Sequence, residues 1–144
     1  MINIAAIDWK SFNTLLERIF QTKFVSIENL CKLVAKENWL SVPNWENLDD
    51  IQLYNLLEKI ERPQGDLYVV TEAAYRKSKG PFCVSSDEIR GFVEEHLNTF
   101  GECFFNGDVL ILSVDQNTIW IFHHEGVYST IKAESGQPLT RKAD

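Results

Sequence analysis

Residues 101–133 read GECFFNGDVLILSVDQNTIWIFHHEGVYSTIKA, and this stretch decides the fold. Short β-forming runs alternate in it with turn-forming residues. Asn106 and Gly107, the pair that most readily takes the left-handed angles of a two-residue hairpin, predict a turn between strands at 102–105 and 108–113. Asp115, Gln116 and Asn117 separate the second of these from a strand at 118–123, and Glu125 with Gly126 predicts a further turn before a strand at 127–133. Four antiparallel strands in meander order are expected. Residues 109–112 and 119–122 are apolar at every position rather than at alternate ones, which requires cover on both faces of the central strands.

Working outward, Ser85 and Glu88 have the spacing of a capping box. Ile89, Phe92, Val93, Leu97 and Phe100 then recur on one helical face that ends at Gly101. Upstream, residues 67–71 read as a strand after the turn signal Pro63, Gln64, Gly65. Residues 72–80 read as a polar surface loop, and 81–84 as a short extended piece. The first third is helical in pattern. Trp9, Phe12, Leu15, Leu16, Ile19 and Phe20 form one stripe behind a cap at Asp8, and Ile27, Leu30, Cys31 and Val34 form a second behind Ser26, fading near Trp39. Ile51, Tyr54, Leu57 and Ile60 form a third behind Asp49 and Asp50. The expected architecture is α+β, with N-terminal helices and one further helix packed on a mainly antiparallel meander sheet. It forms a single domain over residues 1–133 and leaves a flexible tail at 134–144, where Gly136, Pro138 and mixed charge follow the last strand.

A chain of 144 residues with 44% hydrophobic and 12% aromatic content can bury one substantial core. Its net charge of −7 argues against a protein that grips phosphate backbones, which takes clustered Lys and Arg. Between residues 87 and 125 eight carboxylates stand against Arg90 alone, so this segment carries a charge equal to that of the whole chain. Three widely spaced cysteines, Cys31, Cys83 and Cys103, are an odd number and predict a reducing, cytoplasmic setting. Neither a basic leader with an apolar run nor a membrane-spanning segment of roughly 18 residues is expected.

The search for chemistry returns no catalytic, metal or cofactor constellation. His123 and His124 are neighbours at a strand end and are expected to point to opposite faces, so they do not easily bind one ion together. His96 falls on the apolar face of its helix, where a buried, hydrogen-bonded ring is expected. Cys103 could approach His123 across the meander, the arrangement that a small thiol enzyme would need, although packing is the ordinary role of a free cysteine. Glu94 and Glu95 are adjacent on a helix and point apart, so they share no proton. Lys77, Ser78, Lys79 and Gly80 form a basic tip without the glycine-rich run of a phosphate loop, and Trp39, Trp45 and Trp120 read as packing aromatics rather than base-stacking ones.

The segments GECFFNGDVLILS at 101–113 and IWIFHHEGVYS at 119–129 resemble the C-terminal halves of small bacterial immunity proteins of contact-dependent inhibition and related polymorphic toxin systems. The resemblance implies a cytosolic protein that binds one cognate toxin domain, often a nuclease, and blocks its active site or its access to substrate. It carries no shared functional motif, so it assigns no residue. The charge pattern points the same way: a one-signed acidic surface is steered toward a positive substrate groove. Asp87, Glu94, Asp108, Asp115 and Glu125, on the polar side of the helix and in the adjoining turns, are the expected partner contacts. A non-catalytic adaptor or structural subunit is the alternative, and an enzyme using Cys103 and His123 the remaining one.

Overall fold

Side-chain caps start the three helices of the N-terminal third in the computed structural model, which describes residues 5–78 and 80–133. Asp8 accepts a hydrogen bond from Ser11 N at 2.7 Å and starts α1 (Trp9–Phe20), which buries Phe12, Leu16 and Phe20. Ser26 accepts from Asn29 N at 3.1 Å and starts α2 (Ile27–Cys31). Asp49 and Gln52 form a full capping box at the start of α3 (Asp50–Ile60). The second helix is shorter than its apolar stripe. After Cys31 the backbone closes through three-residue turns, Leu33 N to Leu30 O and Val34 N to Cys31 O, and 3-10 turns follow at Lys36–Asn38 and Trp45–Asn47. Between them lies a strand that helical periodicity conceals, β2 (Leu40–Ser41).

The other strands are β1 (Ala5–Ala6), β3 (Asp66–Val70), β4 (Phe82–Ser85), β5 (Val109–Ser113), β6 (Thr118–His123) and β7 (Val127–Lys132). They join into one seven-stranded sheet in the order β1-β4-β3-β5-β6-β7-β2, with every neighbouring pair antiparallel. The expected α+β class is the observed one, and the meander β5-β6-β7 is present.

Its fourth member is different. Residues 102–105 form no strand, and β5 pairs instead with β3, Val69 opposite Ile111. Asn106 and Gly107 are absent from the described residues with positive φ, so they make no mirror-image hairpin turn. The physical reason is visible at Phe104 and Phe105. Both rings are buried, and both backbone N–H groups donate to the Asp50 carboxylate, at 2.7 and 3.2 Å, instead of to a ladder.

Two further expectations are corrected. Residues 72–77, expected as loop, form α4 (Glu72–Lys77), because Ala73 and Ala74 are small enough to bury flush beside the sheet while Glu72 and Arg76 stay outside the core. Ser85 does not cap the following helix. It ends β4, its hydroxyl donates to Glu88 Oε1 at 2.9 Å, and α5 (Ile89–Phe100) begins only after a turn at 86–88. The end of α5 is as expected: Gly101 takes φ +77° and its N–H returns to Leu97 O.

Both faces of β5 and β6 are covered, as their continuous apolar runs require. On one face Phe82 meets Phe92 and Phe100 of α5, and Trp120 donates its indole N–H to Glu61 O, just beyond α3, at 2.9 Å. On the opposite face Glu28 of α2 reaches His123. Trp9 of α1 stacks on Phe24, ahead of α2, and on Tyr75 of α4. The N-terminal helices therefore divide. α1 and α2 belong to one layer, and α3 crosses to the other and packs on α5. The basic tip lies only partly within the described residues, and the expected tail at 134–144 lies outside them.

Candidate functional site

Because α3 packs on α5, a groove of about 510 Å³ lies between the two helices, lined also by the 103–106 connection and the Trp45 turn. Leu48, Ile51, Leu53, Val93 and Phe105 supply an apolar floor. Glu46, Asp49, Asp50 and Glu94 supply carboxylates, and among the described residues no Lys or Arg lines it. Two of these carboxylates have structural duties. Asp49 caps α3, and Asp50 holds the N–H groups of Phe104 and Phe105. Among the described residues Glu46 and Glu94 have no hydrogen-bond or ion-pair partner, and both are exposed. Leu97, expected on the buried stripe of α5, is 51% exposed at the groove edge.

Of the five acidic residues read from the sequence, only Glu94 lines this groove. Asp87, in the turn before α5, and Asp115, between β5 and β6, sit at one end of the sheet, where Gly65 and Ser86 are hydrogen-bonded and Gly65 abuts Asp115. Asp108 and Glu125 sit at the opposite end, where β5 begins and the β6–β7 turn closes. Strands of this length hold the two ends about 17 Å apart, so the five do not make one patch. Glu46 and Asp50 were hidden in the run WENLDD at 45–50, which reads as a helix start and gives no sign that it folds against α5.

Cys103 lines the α3–α5 groove, whereas His123 lines a separate depression with Glu28, Cys31 and Lys32 on the other face of the sheet. The structure does not bring the expected thiol and imidazole together. Burial and the nearby Asp50 charge push the Cys103 thiol up, and burial together with Asp108 and Glu28 pushes Cys31 up to about 12, so neither environment favours a thiolate. His96 is buried as expected. Its Nδ1–H donates to Glu102 O at 2.8 Å, its Nε2 accepts from the Thr71 hydroxyl at 3.1 Å, and burial lowers its pKa. Trp120 is wholly buried, and Trp45 sets its edge against Phe122.

The expectation that His123 and His124 diverge is overturned. Strand alternation ends at His123, and His124 already belongs to the turn, so its ring folds back to lie 4.2 Å, centroid to centroid, from that of His123. Asp108 Oδ1 receives both the His124 backbone N–H and its ring Nδ1–H, each at 2.8 Å, and this hydrogen bond raises the His124 pKa. Donor atoms of Asp108, His123 and His124 all lie within 4.8 Å of one another.

Among the described residues, no helix is long and apolar enough to cross a membrane. Comparison with known proteins finds no matching family model, no matching curated protein and no matching solved structure.

Proposed function

We propose that this chain is a toxin-neutralising protein that seats a segment of a cognate toxin domain, a nuclease in the simplest case, in the groove between α3 and α5. The observation that carries the reading is the pair Glu46 and Glu94, two partnerless carboxylates flanking an apolar floor beside the exposed Leu97. Such a surface is complementary to a segment with Lys or Arg on either side of an apolar side chain. A charge pair enclosed at an interface fixes register, and the apolar contact supplies most of the affinity. The surfaces that bind nucleic-acid phosphates have the required positive charge. The likeness of residues 101–129 to immunity proteins supplies the partner class, and the net charge of −7 supplies long-range attraction toward a basic partner. Asp87, Asp108, Asp115 and Glu125 act in this scheme at a distance rather than in the groove.

The test is protection. A toxin domain is sought among the products of the adjoining genes and co-expressed with this chain, and growth is compared for the parent and for Glu46→Lys/Glu94→Lys. The parent should restore growth and the double reversal should not, while Asp87→Lys/Asp115→Lys at the far end of the sheet should still protect. Full protection by the groove variant would refute the groove as the binding face.

A further inference from the structure

We propose that Asp108, His123 and His124 form a binding site for a single divalent transition-metal ion, zinc being the ion their chemistry fits best. This site is independent of the α3–α5 groove and of the toxin-binding reading. Two imidazoles and one carboxylate make a nitrogen-rich donor set of borderline softness. Calcium and magnesium prefer all-oxygen shells, whereas zinc takes histidine and aspartate together at about 2.0–2.2 Å. In a tetrahedral zinc site of those bond lengths the donor atoms stand about 3.3 Å apart. Here all three lie within 4.8 Å of one another, and His124 Nδ1 and Asp108 Oδ1 are at 2.8 Å, so small rotations of the side chains complete the set.

Preorganisation is the second observation. His123 is nine-tenths buried and both its ring nitrogens are held, Nε2 by Glu28 at 2.6 Å and Nδ1 by the Glu125 N–H at 3.2 Å. The ion takes the Nδ1 lone pair and displaces the long hydrogen bond from Glu125 N–H, while Nε2–H stays tethered to Glu28, the pattern by which a carboxylate behind a histidine fixes a metal ligand. The charge is also suitable. Asp108, Glu28 and Glu125 surround the rings, with Lys32 the one cation lining the same depression. Without metal, Asp108 and His124 make an ordinary turn-closing hydrogen bond. On binding, the ion replaces the Nδ1 proton of His124, which leaves for solvent when the ring is cationic and moves to the solvent-facing Nε2 when it is neutral. Three protein donors leave a fourth position for water, on the side where His124 is exposed.

The purified full chain, kept reduced, is titrated with zinc chloride by calorimetry. In parallel, long-range nitrogen–proton spectra of the imidazoles are recorded. We expect one zinc per chain and shifts of the ring nitrogens of His123 and His124, with those of His96 unmoved. His124→Ala and Asp108→Asn should each weaken binding about 100-fold or more, Glu28→Gln about 10- to 100-fold, and Cys103→Ser not at all. Failure to bind below about 1 mM, shifts confined to His96, or binding unchanged in both ligand variants would overturn the proposal. The spectra of the parent protein decide the matter even where a variant fails to fold.

Discussion

Asp50→Ala should be among the most damaging single substitutions outside the apolar core. Its carboxylate holds the N–H groups of Phe104 and Phe105 at 2.7 and 3.2 Å, and thereby fixes the connection that seats both rings and walls the α3–α5 groove. A hydrogen bond to a charged group contributes about 1.5–3 kcal/mol, and the longer of the two belongs at the low end. Water can reach a half-buried site and offset part of the loss, so the substitution should cost about 3 kcal/mol. Asn at the same position keeps one acceptor oxygen and should cost about half as much. With a denaturant slope of about 2 kcal/mol/M, urea midpoints fall by about 1.5 M for Asp50→Ala and about 0.7 M for Asp50→Asn. Hydrogen exchange should show the Phe104 and Phe105 amides losing protection in the Ala variant under conditions where the β5–β6 ladder keeps it. A midpoint shift below about 0.3 M, or exchange unchanged at those two amides, would refute the idea that one side chain organises this connection.

The remaining predictions concern the turn and the histidines. Gly126 has φ +85°, and a Cβ there would stand 2.4 Å from Trp45 Cδ1, so Gly126→Ala should cost about 2 kcal/mol and lower the melting temperature by about 6–8 °C. A melting temperature within a degree of the parent would show that the Trp45 turn yields freely. His96 has its pKa lowered by burial, so its contribution is complete above the ordinary value of 6.5 and is lost as pH falls from there through the lowered value; His96→Gln should flatten the acid side of the stability profile below pH 6.5. His124 has its pKa raised by Asp108, so its contribution is complete below 6.5 and is lost as pH rises through the raised value; His124→Gln should remove that decline. Urea midpoints measured on both sides of pH 6.5 read both effects, and identical profiles for either variant and the parent would contradict the assignment.

Most local signals were legible where the residue and its partner are close in sequence, the exception being Ser85 and Glu88, which hydrogen-bond each other in the turn before α5 and cap no helix. Asp8, Ser26 and Asp49 reach only three residues ahead to cap their helices, and Gly101 ends α5 on its own backbone preference. The continuous apolar runs at 109–112 and 119–122 correctly required two covering layers, because nothing else explains an apolar residue on each face of a strand. What failed was decided at long range. Asn106 and Gly107 have the composition of a hairpin, but Asp50, more than fifty residues earlier, takes the N–H groups that a strand would have needed. The β2 edge exists only because β7 offers it a ladder. The groove and the histidine cluster were hidden for the same reason. Glu46 and Glu94 are brought together by α3 crossing to the α5 layer, and His123 with His124 by a turn that begins one residue earlier than the strand pattern suggests.

The central claim is that the α3–α5 groove is the face that meets a basic partner protein. We would measure the association rate of the chain with a purified, catalytically disabled nuclease toxin domain sought among the products of the adjoining genes, at low and at physiological salt. Association should be rapid and slow as salt rises, and the Glu46→Lys/Glu94→Lys variant should associate about 10- to 100-fold more slowly with its salt dependence largely gone. Equal rates for the two proteins at both salt concentrations would contradict it.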